Sequence, residues 1–151
     1  MKIRELGHVV LQVTDLDRSL KFYRDTLGLP VVSQGNPRGR RMAFLSLGKK
    51  HHDLALMELA PGAGANDPER AGVMHVAFKV GDEDIELLKE AKARMVAAGV
   101  TVLRTTEHET TFSLYLSDPD GITVELYVDR DPAIWRENPG ALGKKAAPLA
   151  L

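Results

Sequence analysis

Residues 7–13 read GHVVLQV and residues 74–80 read MHVAFKV. Each has a histidine, then a valine, then apolar residues at alternate positions, ending on a second valine. Period-two alternation over a short β-branched run predicts a strand, and a repeated strand predicts a chain written twice. On each strand the histidine and the residue two later share one face. Val9, Leu11 and Val13, and Val76, Phe78 and Val80, share the other.

The order of elements after each strand also repeats. The first helix is expected over 15–27, with Asp15 as its N-cap and Gly28 as its stop; Leu16, Leu20, Tyr23 and Leu27 form its buried face. The second is expected over 83–98, capped by Asp82 and stopped by Gly99, with Ile85, Leu88, Ala91 and Met95 inward. Three strands are then expected in each half, near 30–34, 42–47 and 53–59, and near 100–105, 111–116 and 122–128. The turn sequence SDPDG, 117–121, joins the last two. Residues 60–72, rich in Gly, Pro and Ala, read as a linker. The prediction is an α+β chain of two βαβββ modules, about 5–60 and 72–129, in a single domain over 1–135, with a C-terminal extension at 136–151.

Composition removes several function classes. The 151 residues carry a formal net charge of −1, which offers no electrostatic case for nucleic acid or an anionic membrane. There is no cysteine, so disulfides, thiolate metal sites and a cysteine nucleophile are excluded. Any metal would be held by His, Asp or Glu. The start of the chain does not read as a signal peptide, and no apolar run approaches the ~20 residues of a membrane helix. A soluble cytoplasmic protein is expected.

The register of the repeat singles out candidate ligands. His8 and His75 lie 67 residues apart, and so do Glu58 and Glu125. One histidine in a strand is ordinarily a half-buried polar residue. Two at matching places, each with a glutamate on the last strand of its module, can converge if the modules pack about a pseudo-twofold axis. His8, His75 and Glu125 would then make a two-histidine, one-carboxylate triad, a set that binds Fe(II) and leaves positions open for small molecules. Glu58, as repeat partner of Glu125, is the candidate fourth ligand. Of the remaining histidines, His51 reads as solvent-exposed. His51 and His52 open the strand HHDLALMEL, and His108 lies in a loop before TFSLYL; His52 or His108 could transfer protons near a metal. Tyr115 lies ten residues before Glu125.

The stretches LGHVVLQVTDLDRSLKFYRDTLGL and LYLSDPDGITVELY carry a resemblance to the vicinal oxygen chelate superfamily of glyoxalases, bleomycin-resistance proteins and extradiol dioxygenases, over about residues 5–129. The resemblance implies a cupped, eight-stranded mixed sheet with a metal inside the cup. Within the superfamily the chain is most similar to extradiol enzymes of the catechol 2,3-dioxygenase kind. Their metal ligands correspond to His8, His75 and Glu125, and their active-site histidine and tyrosine to His52 and Tyr115; a substrate-binding histidine corresponds to His108. The resemblance implies Fe(II), with Mn, Ni or Zn as alternatives, a small aromatic diol and O2 as reactants, and a homodimer. A glyoxalase-like lyase or isomerase with Glu58 as a ligand is the second reading. A metal-free drug-binding protein is the third.

Overall fold

The computed structural model describes residues 1–151 and divides them into two compact units, Met1–Asn66 and Asp67–Leu151. The division falls inside the expected linker.

In the first unit, β1 (Val9–Val13) leads into α1 (Leu16–Leu20), then β2 (Val31–Gly35), β3 (Met42–Leu45) and β4 (Leu54–Glu58). The sheet order is β1-β4-β3-β2, with β1 and β4 parallel. Asp15 caps α1 as expected, its Oδ1 accepting from Arg18 N–H at 2.9 Å. The helix does not continue regularly to Leu27. Over Lys21–Thr26 it widens, Leu27 N–H bonding to Phe22 C=O five residues back. The extra residue in this turn brings both Phe22 and Tyr23 into the core, and Leu29 takes the inward place expected of Leu27. Leu11 and Val13 are buried with Leu45, Leu54 and Leu56 on the helix-covered face.

In the second unit, β5 (His75–Asp82) is followed by α2 (Ile85–Ala97), β6 (Val102–His108), β7 (Thr111–Ser117) and β8 (Thr123–Asp129). The short helix α3 (Ala133–Glu137) and the strand β9 (Ala146–Pro148) complete the chain. The sheet order is β5-β8-β7-β6-β9. The eight expected strands are thus present as two hydrogen-bonded sheets, and a ninth extends the second. Asp84, not Asp82, caps α2, accepting from Glu86 N–H at 3.0 Å. Asp82 still belongs to β5, where it pairs with Lys79. A register shift between Lys79 and Gly81 leaves Val80 partly exposed instead of inward. Leu88 and Met95 of α2 are buried in the same core as Leu114, Leu116, Val124 and Val128. Each such side chain contributes roughly 1.5–3 kcal/mol through burial.

The extension is anchored to the second sheet. β9 pairs antiparallel with β6, Glu107 opposite Ala147 and His108 opposite Ala146. Thr105 Oγ1 donates to Leu149 C=O at 2.7 Å, and Lys145 Nζ bonds to Glu107 at 2.6 Å. Unpaired edge groups of β6 attract a strand, and the tail's own small residues supply one.

Candidate active site

The second unit's site is positioned by a turn. Asp118 accepts backbone N–H bonds from Asp120 at 2.9 Å and Ile122 at 2.7 Å, and Gly121 takes the left-handed φ of +80° that closes the hairpin. This fixes the register in which Tyr115 stands opposite Glu125. The row continues outward to Arg104 on β6 and Ala77 on β5. Because opposed residues share a face, Arg104, Tyr115, Glu125 and Ala77 all project from the side away from α2.

On that face Glu125 Oε2 lies 3.0 Å from His75 Nε2. Glu125 is only 7% exposed. His75 Nδ1 is buried without a hydrogen-bond partner, a state that costs roughly 1–3 kcal/mol. Two donors bound to one cation at about 2.1 Å each, about a right angle apart, would stand about 3 Å from one another. The nitrogen–oxygen donor pair therefore fits two ligands of a divalent metal. Neither unit by itself assembles three or more His, Asp or Glu side chains as a metal site.

Tyr115 is enclosed by polar partners. Its hydroxyl lies 2.9 Å from His108 Nε2, and the guanidinium of Arg104 sits 3.8 Å from its ring centroid. Burial raises its pKa, and the nearby Glu125 charge raises it further; Arg104 works in the opposite direction. His108 is the last residue of β6, not a loop residue, because β6 runs three residues past the expected end. Tyr115, Glu125 and His108 line a cavity of about 850 Å³ together with Tyr127, Trp135 and Leu142. The last three were not singled out by the sequence. The alternation of β8 placed Tyr127 on the Glu125 face and could have found it. Trp135 and Leu142 lie beyond the second module, with no repeat to align them.

In the first unit His8 is exposed and directly precedes β1. His52 lies before β4, which starts one residue later than expected, with its ring centroid 4.2 Å from His8 and 5.2 Å from Phe44. Partial burial lowers the His52 pKa, and the neighbouring imidazoles of His8 and His51 add to this. His51 is exposed, as expected, with Nδ1 2.6 Å from His52 Nδ1.

Glu58 departs from its expected place. Val10, two residues after His8, pairs with Ala55, whereas Ala77, two residues after His75, pairs with Glu125. Ala55 is therefore the counterpart of Glu125, and the matched 67-residue offset does not survive the strand register. Glu58 stands opposite Val13, on the helix-covered side of the sheet, while His8 continues the face of Val10 and Gln12. Its Oε1 accepts from Leu16 N–H at 2.9 Å and pairs with Arg41 at 3.3 Å. It serves the N-terminus of α1 and does not join His8 as a fourth ligand.

Comparisons with known proteins agree with this architecture. Residues 5–126 match the model of the Glyoxalase/Bleomycin resistance protein/Dioxygenase superfamily. A biphenyl-2,3-diol 1,2-dioxygenase of Rhodococcus globerulus is 36% identical over 129 residues, covering 82% of this chain and 63% of that enzyme. An iron-dependent extradiol dioxygenase of Rhodococcus jostii is 30% identical over 133 residues, 80% of this chain and 42% of that enzyme. The chain thus spans less than two thirds of the length of these extradiol relatives. The glutathione transferase FosA of Serratia marcescens is 32% identical over 126 residues, covering 83% of this chain and 82% of that protein. Among solved structures, a glyoxylase/bleomycin resistance protein/dioxygenase domain from Frankia sp. matches with a TM-score of 0.75 at 25% identity, over 89% of this chain and 99% of that one. No helix is long and apolar enough to cross a membrane. With the family model spanning most of the sequence and both βαβββ modules in place, the chain belongs to the glyoxalase, bleomycin resistance protein and dioxygenase superfamily.

Proposed function

We propose that this protein is a metal-dependent, extradiol-type dioxygenase that opens the ring of a catechol-like aromatic with O2. One observation carries the reading: Glu125, paired with His75, and the hydrogen-bonded Tyr115 and His108 line a cavity large enough for an aromatic substrate. His75 and Glu125 would supply two ligands, with Fe(II) the first candidate and Mn, Ni or Zn the alternatives. Such an ion, when bound, binds adjacent oxygens of a diol and favours their ionised form. The remaining work falls to side chains of the chain. Tyr115 and His108 present polar atoms to the substrate oxygens, and Trp135 and Leu142 exclude water from the aromatic ring. A homodimer in the cytoplasm is expected, as is a small-molecule substrate without nucleic-acid or membrane partners.

The decisive experiment is anaerobic reconstitution with Fe(II), then oxygen uptake on a panel of monocyclic and bicyclic catechols. Ring-opened product with stoichiometric oxygen consumption is expected. Iron-loaded protein that consumes no oxygen with any catechol overturns the reading.

The match to the FosA glutathione transferase, over 83% of this chain and 82% of that protein, supports a second reading, a glutathione transferase. The glyoxalase form with Glu58 as ligand is disfavoured, because Glu58 is engaged at α1. A metal-free drug-binding protein ranks last, since it leaves the His75–Glu125 pair without a purpose.

A further inference from the structure

The C-terminal segment does more than lengthen a sheet. Leu142 and Gly143 line the cavity, and two residues later Lys145 C=O lies 3.2 Å from His108 Nδ1. β9 holds that carbonyl in place through its pairing with β6, the Lys145–Glu107 ion pair and the Thr105–Leu149 bond. Arg130 fixes the other side, donating to Glu107 and to His108 C=O, both at 3.0 Å.

A backbone carbonyl can only accept a hydrogen bond, so His108 Nδ1 must carry the proton. In the neutral ring Nε2 is then an acceptor, and its partner at 2.9 Å is the Tyr115 hydroxyl. Tyr115 has two acceptors within reach, His108 Nε2 and the Glu125 carboxylate, but one proton to give. We propose that Lys145, through its backbone carbonyl, is a positioning residue: it sets the His108 tautomer, so that Tyr115 donates to His108 and leaves the Glu125 carboxylate unencumbered. The tail thereby governs the polar geometry of the cavity without touching the reacting atoms. Its catalytic meaning rests on the proposed dioxygenase reading, but the tautomer does not.

The test is nitrogen-15 NMR of the imidazoles in the full chain at pH about 8.5, well above the ordinary histidine pKa of about 6.5. The His108 signals are assigned by their loss in His108→Gln. The expected result is a neutral ring with the proton on Nδ1. In Tyr115→Phe, a variant that keeps the fold, the proton should stay on Nδ1, because the carbonyl sets it. In full-length Ala147→Pro, which takes a backbone donor out of β9 and frees Lys145 from its seat, with amide dispersion retained, it should move to Nε2. A proton on Nε2 in the wild-type chain overturns the proposal, as does a switch in Tyr115→Phe or no switch in Ala147→Pro. None of these readings needs substrate or oxygen, so inactivity toward catechols would count against the dioxygenase reading alone.

Discussion

Glu58 and Leu16 are joined across the first sheet by a 2.9 Å hydrogen bond from the helix backbone to the carboxylate. An orphan N–H in the first turn of α1 is satisfied by a residue 42 positions later, and a negative charge is placed at the positive end of the helix. Glu58→Gln keeps an acceptor there and should leave both metal content and melting temperature nearly unchanged. Glu58→Ala should cost about 1 kcal/mol by analogy with lost N-caps. Metal analysis and thermal melts decide the matter; loss of bound metal in Glu58→Gln would restore the glyoxalase reading.

Removing either member of the donor pair should be far more damaging to metal binding. His75→Ala and Glu125→Gln should each weaken affinity by at least tenfold, measured by titration with Zn(II) or Fe(II), with circular dichroism unchanged. Wild-type affinity in His75→Ala would remove the metal centre from this site.

Tyr115→Phe addresses the chemistry and not the ligand set. It should retain metal. It should lower turnover of a reactive catechol by roughly a hundredfold, the usual scale for one acid–base or electrostatic group. Normal turnover would leave only the shared fold.

Acid should release the tail before it unfolds the core. Glu107 has its pKa lowered, first by the hydrogen bond from Lys145 and then by the charges of Lys145 and Arg130. A carboxyl depressed in the folded state contributes stability above its unfolded pKa and loses it as pH falls through the folded one. Below about pH 4.3, the ordinary glutamate value, docking of β9 should begin to weaken. Hydrogen exchange at Ala147 should then accelerate ahead of exchange at Leu114. Equal loss of protection at both would contradict this.

Leu88 is fully buried against the second sheet. Leu88→Ala should reduce unfolding free energy by roughly 2–5 kcal/mol, measured in urea, through lost burial and the cavity left behind.

The periodicities that made the modules legible are those the solvent enforces. Alternation at Val9, Leu11 and Val13 and helical spacing at Leu16, Leu20 and Tyr23 reflect one buried face each, and the structure buries them nearly as expected. That Tyr115 and Glu125 stand on neighbouring strands was also legible, because the SDPDG turn joins those strands directly. The equivalence of Glu58 and Glu125 was not. Residue counting carries no information about strand register, and β1 meets β4 three residues earlier than β5 meets β8. The extension was opaque for a different reason. A strand of alanines and a proline has no amphipathic signature, and its place is set by the hydrogen-bonding edge it finds.

That edge has a bearing on how the protein behaves in a crowded solution. β6 offers a row of seven residues, and without β9 its outer amide groups would be open to any extended peptide, including β6 of another molecule. The three residues 146–148 act as a terminator that halts sheet growth, and they end on Pro148, which has no N–H to pass the ladder outward. Chains clipped ahead of Ala146 by a protease would therefore be the ones to self-associate into insoluble material, while intact chains at the same concentration stay dispersed.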